Sequence, residues 1–265
     1  MRRQWLWMLG SLVVAAIWVA GCKPVSAPPA AEGEKSVVAK IDSGEIAGVA
    51  AEGVEAFLGI PYAAPPLGEL RWRAPQPVSP WEGVRQATTY GNDCIQAPND
   101  IEKIQTVPSE DCLYVNVWRP STGAAGSTQV GAGGKLPVLV WIHGGGFVGG
   151  GSSIPWYDGS AFARNGIVVV SLNYRLGRLG FFAHPALLAT GDRPTGNFGF
   201  LDQIAALEWV QRNIAAFGGN PENVTLMGQS AGGASVLALL TSPATQGLFQ
   251  QVVVLSGGGR DGLLS

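Results

Sequence analysis

Two glycine-rich clusters carry the residue types that acyl-transfer chemistry needs. The first is Gly228-Gln229-Ser230-Ala231-Gly232, a G-x-S-x-G pattern. The chain has 38 glycines, so the bare pattern is cheap and its context decides. The apolar run 224–227 reads as a buried strand and 234–240 as a helix, which sets Ser230 on a sharp strand-to-helix turn. A serine held there projects its hydroxyl from the sheet edge, and the flanking glycines let strand and helix backbones pass closely. The helix N-terminus adds unpaired N–H groups and a positive dipole end, suited to developing negative charge. The alternative is a phosphate cradle, but the Gly-Lys-Ser/Thr ending of a P-loop is absent. The second cluster is His143-Gly144-Gly145-Gly146-Phe147, directly after the apolar run 137–142. Consecutive glycines allow backbone N–H groups to converge on one point with no side chain in the way. Alone this is an ordinary turn. Paired with the serine turn it reads as the oxyanion-binding partner. His143 reads as a structural residue that holds this loop, because it precedes the serine.

The elements that must position these clusters are legible from hydrophobic pattern. Runs 137–142 (PVLVWI) and 167–172 (IVVVSL) are continuously apolar, as expected of strands buried on both faces of a parallel sheet. Residues 200–217 are apolar most of the way round and stop at Gly218-Gly219, which predicts a helix without a broad wet face. Residues 224–227 and 251–255 add two strands, and 113–118 another. At the N-terminal end, 37–41, 46–49 and 54–58 form a small antiparallel meander with Gly44 and Gly53 at its turns. Residues 61–80 are Pro- and aromatic-rich and read as an irregular packed stretch, and 123–134 as a flexible insertion. Strands alternating with helices predict an α/β fold, with a mostly parallel central sheet and crossover helices.

Composition narrows the class. The 265 residues are 46% hydrophobic and 14% charged, enough apolar material for a core despite 38 Gly and 18 Pro. Net charge is −2 and no long basic run occurs, which argues against nucleic acid as a partner. Residues 1–22 read as an export signal: Arg2 and Arg3, an apolar run from Trp5 to Ala20, then Gly21-Cys22. The run is short for a membrane span. Val19-Ala20-Gly21-Cys22 resembles the lipobox of bacterial lipoproteins, with Cys22 as the lipidated residue; plain secretion and a retained signal anchor are the alternatives. Residues 23–36 read as a flexible tether and 37–265 as the folded domain. A lipid on Cys22 leaves Cys94 and Cys112, which an oxidising compartment would let pair; two buried free thiols are the alternative.

Longer stretches carry a family likeness: residues 57–75 (FLGIPYAAPPLGELRWRAP), 109–120 (SEDCLYVNVWRP), 137–150 (PVLVWIHGGGFVGG), 168–182, 196–236 and 253–259. Together they resemble the type-B carboxylesterase/cholinesterase family of α/β-hydrolases, from about Val37 to the last residue. The resemblance implies Ser230 as the acyl-forming nucleophile, with Gly145, Gly146 and Ala231 supplying the oxyanion N–H groups. It implies a Cys94–Cys112 disulfide and structural ion pairs Arg71–Glu110 and Arg175–Asp202. It implies a small-molecule ester as substrate, and neither metal nor organic cofactor. Phe147 and Trp156 are candidate pocket residues and equally candidates for packing. Gln229 departs from the Glu that the family often has there, which changes the charge beside the site.

The larger departure is downstream. A serine hydrolase needs a general base and a carboxylate to orient it, in the chain order Ser, Asp/Glu, His. After Ser230 there is no histidine, and the only acid is Asp261, too close to the preceding glycines to match the family's position. Both histidines, His143 and His184, precede Ser230. The expectation is an N-terminal portion of a carboxylesterase domain whose C-terminal part is missing, inactive alone, from an exported and lipid-anchored protein of the bacterial periplasm or outer membrane. The competing reading is a non-catalytic, cholinesterase-like binding or adhesion protein. Members of that kind tend to lose the serine or the oxyanion glycines, and this chain keeps both.

Overall fold

A computed structural model describes residues 35–98, 103–121, 134–188 and 196–258. The export signal, Cys22, most of the expected tether, the bulk of the 123–134 insertion and Asp261 lie outside them. The first strand, β1 (Lys35–Ile41), takes in the last two residues assigned to the tether. It is followed by β2 (Gly44–Ala51), β3 (Val54–Pro61), the short β4 (Val84–Gln86) and β5 (Tyr114–Pro120). Next come β6 (Leu136–Ile142), helix α1 (Ser160–Arg164), β7 (Val168–Leu172), α2 (Gly177–Phe181) and α3 (Pro185–Leu188). The long helix α4 (Phe198–Asn213), β8 (Gly219–Gln229), α5 (Ala231–Leu240) and β9 (Gln251–Leu255) complete the described chain.

The strands form a single sheet in the order β1-β2-β3-β5-β7-β6-β8-β9, with β4 beside β2. The meander is therefore not a separate piece. It continues through antiparallel β3–β5 and β5–β7 pairings into the parallel block β7-β6-β8-β9. Alternate residues of the central strands face opposite sides. Val138, Val140 and Ile142 of β6 join Val168, Val170 and Leu172 of β7 in the larger core, with Leu207 and Val210 of α4 and Val236 and Leu239 of α5. Each such fully buried Val or Leu side chain contributes about 1.5–3 kcal/mol. On the other face Val169 packs with Trp118 and Ala163 of α1. Of α4, only Glu208 and Arg212 are exposed, as its sequence predicts for a helix without a broad wet face.

Ion pairs fix the elements around this core. Arg175 binds Asp202 of α4 through two guanidinium bonds of 2.8 and 2.7 Å, and both side chains are buried. Burial pushes the Asp202 carboxyl up, and Arg175 works against that shift. Arg71 forks onto Glu110 near the surface at 2.6 and 2.7 Å. A third pair, Arg119 with Glu55 at 2.6 Å, joins β5 to β3, and no pattern in the sequence pointed to it.

Candidate active site

Strand β8 runs parallel to β6 as far as the Ile142–Gly228 register, so the two glycine clusters leave the sheet side by side. Ser230 follows β8 and caps α5 with φ 54° and ψ −121°, a left-handed conformation uncommon for any residue with a Cβ. The turn is held from three directions. The Ser230 N–H donates to Leu255 O of β9 at 2.8 Å, and Ser230 O accepts from Ala234 N at 2.9 Å. Gly232 lies so close to β6 that a Cβ there would overlap the carbonyl oxygen of Ile142, and a Cβ on Gly228 would overlap that of Gly232. These are the close backbone approaches expected of the pentapeptide.

The glycine loop lies directly against this turn. A Cβ on Gly144 would stand 2.8 Å from Gln229 O and 3.2 Å from the Cβ of Ser230. Gly145, Gly146 and Phe147 follow with φ of 102°, 62° and 62°. The carbonyl of Gly145 accepts from Val148 N and Gly149 N at 3.1 and 3.0 Å, which closes the loop on itself. Neither Gly145 N–H nor Gly146 N–H donates to an acceptor among the described residues. Ala231 opens α5, so its N–H has no carbonyl four residues back to bind. Three amides without acceptors among the described residues and one strained serine thus come from two adjoining turns.

His143 is buried and stacks on Tyr174 at 4.5 Å between ring centres. Its Nδ1 lies 2.8 Å from Gly144 O, and a carbonyl only accepts, so Nδ1 carries the proton. The Tyr174 hydroxyl donates to His143 O at 3.1 Å. Burial lowers the imidazole from the usual 6.5 to about 4, against the opposing pull of the Gly144 carbonyl and Asp93. This is the structural role its place in the chain implied. Between pH 6.5 and 4 the unfolded chain binds a proton that the fold refuses. Stability from this residue is therefore full above pH 6.5 and falls toward pH 4, by about 3 kcal/mol in all. The His143 Cε1–H resonance is expected to keep its neutral shift down to about pH 5; an NMR midpoint above 6 would contradict the buried neutral ring.

Cys94 and Cys112 form a disulfide, which settles the choice between a bond and two thiols. Around it lies a polar network that the sequence did not disclose. Asp93 is fully buried and takes bonds from Thr106 Oγ1 at 2.6 Å and from Ser153 Oγ. Asn116 accepts from Gly59 N and donates to Ser152 Oγ and Ser171 Oγ. Asn173 accepts from Ser152 N at 2.8 Å. The one available signal was indirect: polar residues beside a cysteine bound for the interior must find partners there.

Phe147 is half-buried and packs edge-on to Phe181 and Phe200 at 5.2 and 5.8 Å, a packing role. Trp156 is largely exposed and lines a recess of about 200 Å³ with Trp141, Tyr157, Phe162 and Met227, a lining that includes neither Ser230 nor the glycine loop. His184 stacks on Phe182 at 6.0 Å.

A family model described as Carboxylesterase family matches residues 35–262. The fumonisin B1 esterase of Sphingopyxis macrogoltabida is 45% identical over 256 residues, covering 96% of this chain and 44% of that protein. The para-nitrobenzyl esterase of Bacillus subtilis (strain 168) is 48% identical over 222 residues, 82% of this chain and 43% of that protein. A solved PNB esterase superposes with a TM-score of 0.75 at 46% identity, over 84% of this chain and 44% of that one. A Geobacillus stearothermophilus carboxylesterase gives 0.69 at 45% identity, over 81% and 42%. The chain therefore spans less than half the length of the curated relatives it matches.

Proposed function

This chain belongs to the carboxylesterase family, and on that footing we propose that the full-length protein hydrolyses small-molecule carboxylic esters through an acyl-Ser230 intermediate. The observation that carries the reading is the strained Ser230 beside three amides without acceptors among the described residues, those of Gly145, Gly146 and Ala231. Ser230 Oγ attacks the ester carbonyl carbon while its proton passes to a general base. The carbonyl oxygen becomes an oxyanion held by the three N–H groups. The C–O bond to the alcohol then breaks, the alcohol leaves with the proton, and water cleaves the acyl-serine to acid and free serine. His143 is unsuited as the base, because it is buried, neutral and committed to Gly144. We place the base and its carboxylate in the part of the relatives' length that this chain does not span. Without such a base, Ser230 and the oxyanion amides are expected to give only a small residual rate.

We further propose that Cys22 is lipidated and becomes the new N-terminus, which tethers the protein to a membrane of the periplasm or outer membrane; a freely secreted form is the alternative. The catalytic reading is tested by treating the full-length polypeptide with a fluorophosphonate and mapping the adduct. Phosphonylation of the Ser230 peptide is the expected result. An unlabelled protein, or a label on another serine, would favour a non-catalytic binding protein or a different nucleophile.

A further inference from the structure

The glycine loop is gripped from outside by one side chain that nothing in its sequence neighbourhood marks. The amide of Gln96 binds both backbone groups of Gly150: Oε1 accepts from Gly150 N at 2.9 Å and Nε2 donates to Gly150 O at 2.7 Å. The same Nε2 donates to Cys94 O at 3.0 Å. A single side chain thus pairs with Gly150 as a neighbouring strand would.

Gly150 directly follows the residues that close the loop. A Cβ on Gly145 would overlap Gly149 O and stand 3.0 Å from Gly150 N. A Cβ on Gly150 would stand 2.6 Å from His143 Nδ1 and 2.7 Å from Gly144 O. Gly150 is therefore in close backbone contact with the start of the loop as well as with its turn, so a shift of Gly150 bears on Gly144 and Gly145. Gln96 is itself braced, because it lies two residues from the disulfide at Cys94 and three from the buried Asp93.

We propose that Gln96 is a positioning residue for ester hydrolysis, acting through Gly150 to hold the Gly145 and Gly146 amides at the point where the oxyanion forms. It touches no reacting atom. Its contribution appears only when the carbonyl oxygen becomes charged, because a small misplacement of oxyanion donors weakens the transition state more than the bound ester. The proposal rests on the esterase reading above.

The test uses the full-length esterase with Gln96→Ala and with Gln96→Glu, which keeps the side-chain volume but removes both Nε2 donors. Sites are counted by fluorophosphonate titration, so rates refer to folded protein. The expected result is a fall in kcat per titrated site of about 10- to 100-fold with KM within about twofold. Affinity for a trifluoromethyl ketone, which forms an anionic hemiketal with the serine, should fall in step. Affinity for the matching methyl ketone should not. If Gln96→Ala yields no titratable sites, Gln96→Glu carries the same comparison. An unchanged kcat per site in the variants overturns the proposal, as does an equal loss of affinity for both ketones. Absence of titratable Ser230 in the wild type would instead overturn the esterase reading itself.

Discussion

Replacing Ser230 with alanine in the full-length polypeptide is expected to lower kcat for p-nitrophenyl acetate by roughly ten-thousand- to a million-fold while leaving the fold intact. The fold should survive because the change removes one oxygen and keeps the Cβ. The left-handed backbone at φ 54° is imposed by neighbours, through Leu255 O, Ala234 N and the crowded glycines, and not by the hydroxyl. Alanine is no worse placed there than serine. KM should change little, since the amides of Gly145, Gly146 and Ala231 remain. Rates equal to wild type in Ser230→Ala would remove Ser230 as the nucleophile, whatever the family.

Gly232→Ala should fail for a different reason. Its new methyl group would overlap the carbonyl oxygen of Ile142 and stand 2.7 Å from that of His143, both backbone atoms at the end of β6. Neither can rotate aside. Strand and helix must separate, which costs about 3 kcal/mol or more and pulls Ser230 away from the glycine loop. Both melting temperature and kcat should drop. The matched control is Gly166→Ala, where φ is +83° but nothing lies within 4 Å of the added atom. Only the backbone preference is offended there, at a cost of about 1 kcal/mol, and activity should persist. Equal melting temperatures for the two variants would show that strand and helix can part at Gly232 at little cost.

The parts legible in the sequence were those whose signal is local. The apolar runs 137–142 and 167–172 became β6 and β7 to within a residue, because a strand covered on both faces has little freedom in its pattern; the run 251–255 became β9, an edge strand with Val253 and Leu255 exposed. The two glycine clusters announced the site because close backbone approach admits little else. Where tertiary contacts override local preference, the boundaries moved. Helix α5 begins at Ala231 and not at Ala234, since Gly232 and Gly233 are held helical by β6 and by the segment after β9. Strand β8 begins at Gly219, ahead of Pro221, because its start pairs with Leu136. The least legible parts were polar residues whose partners lie far along the chain. Asn116 reaches Gly59 and Ser171, Gln96 reaches Gly150, and Arg119 reaches Glu55. Such bonds leave no periodicity to read.

The hydrogen bond from Ser230 to Leu255 also sets an order of events during synthesis. The strained turn is assembled from β6, from β8 and from a strand that leaves the ribosome later than the serine. Gly233 rests on Gly257 as well, so the turn cannot take its final shape until the chain past β9 has emerged and docked. Until then Ser230 is free to relax to an ordinary backbone conformation. If Ser230 is the nucleophile proposed above, its competence arrives with tertiary closure and not with the motif itself.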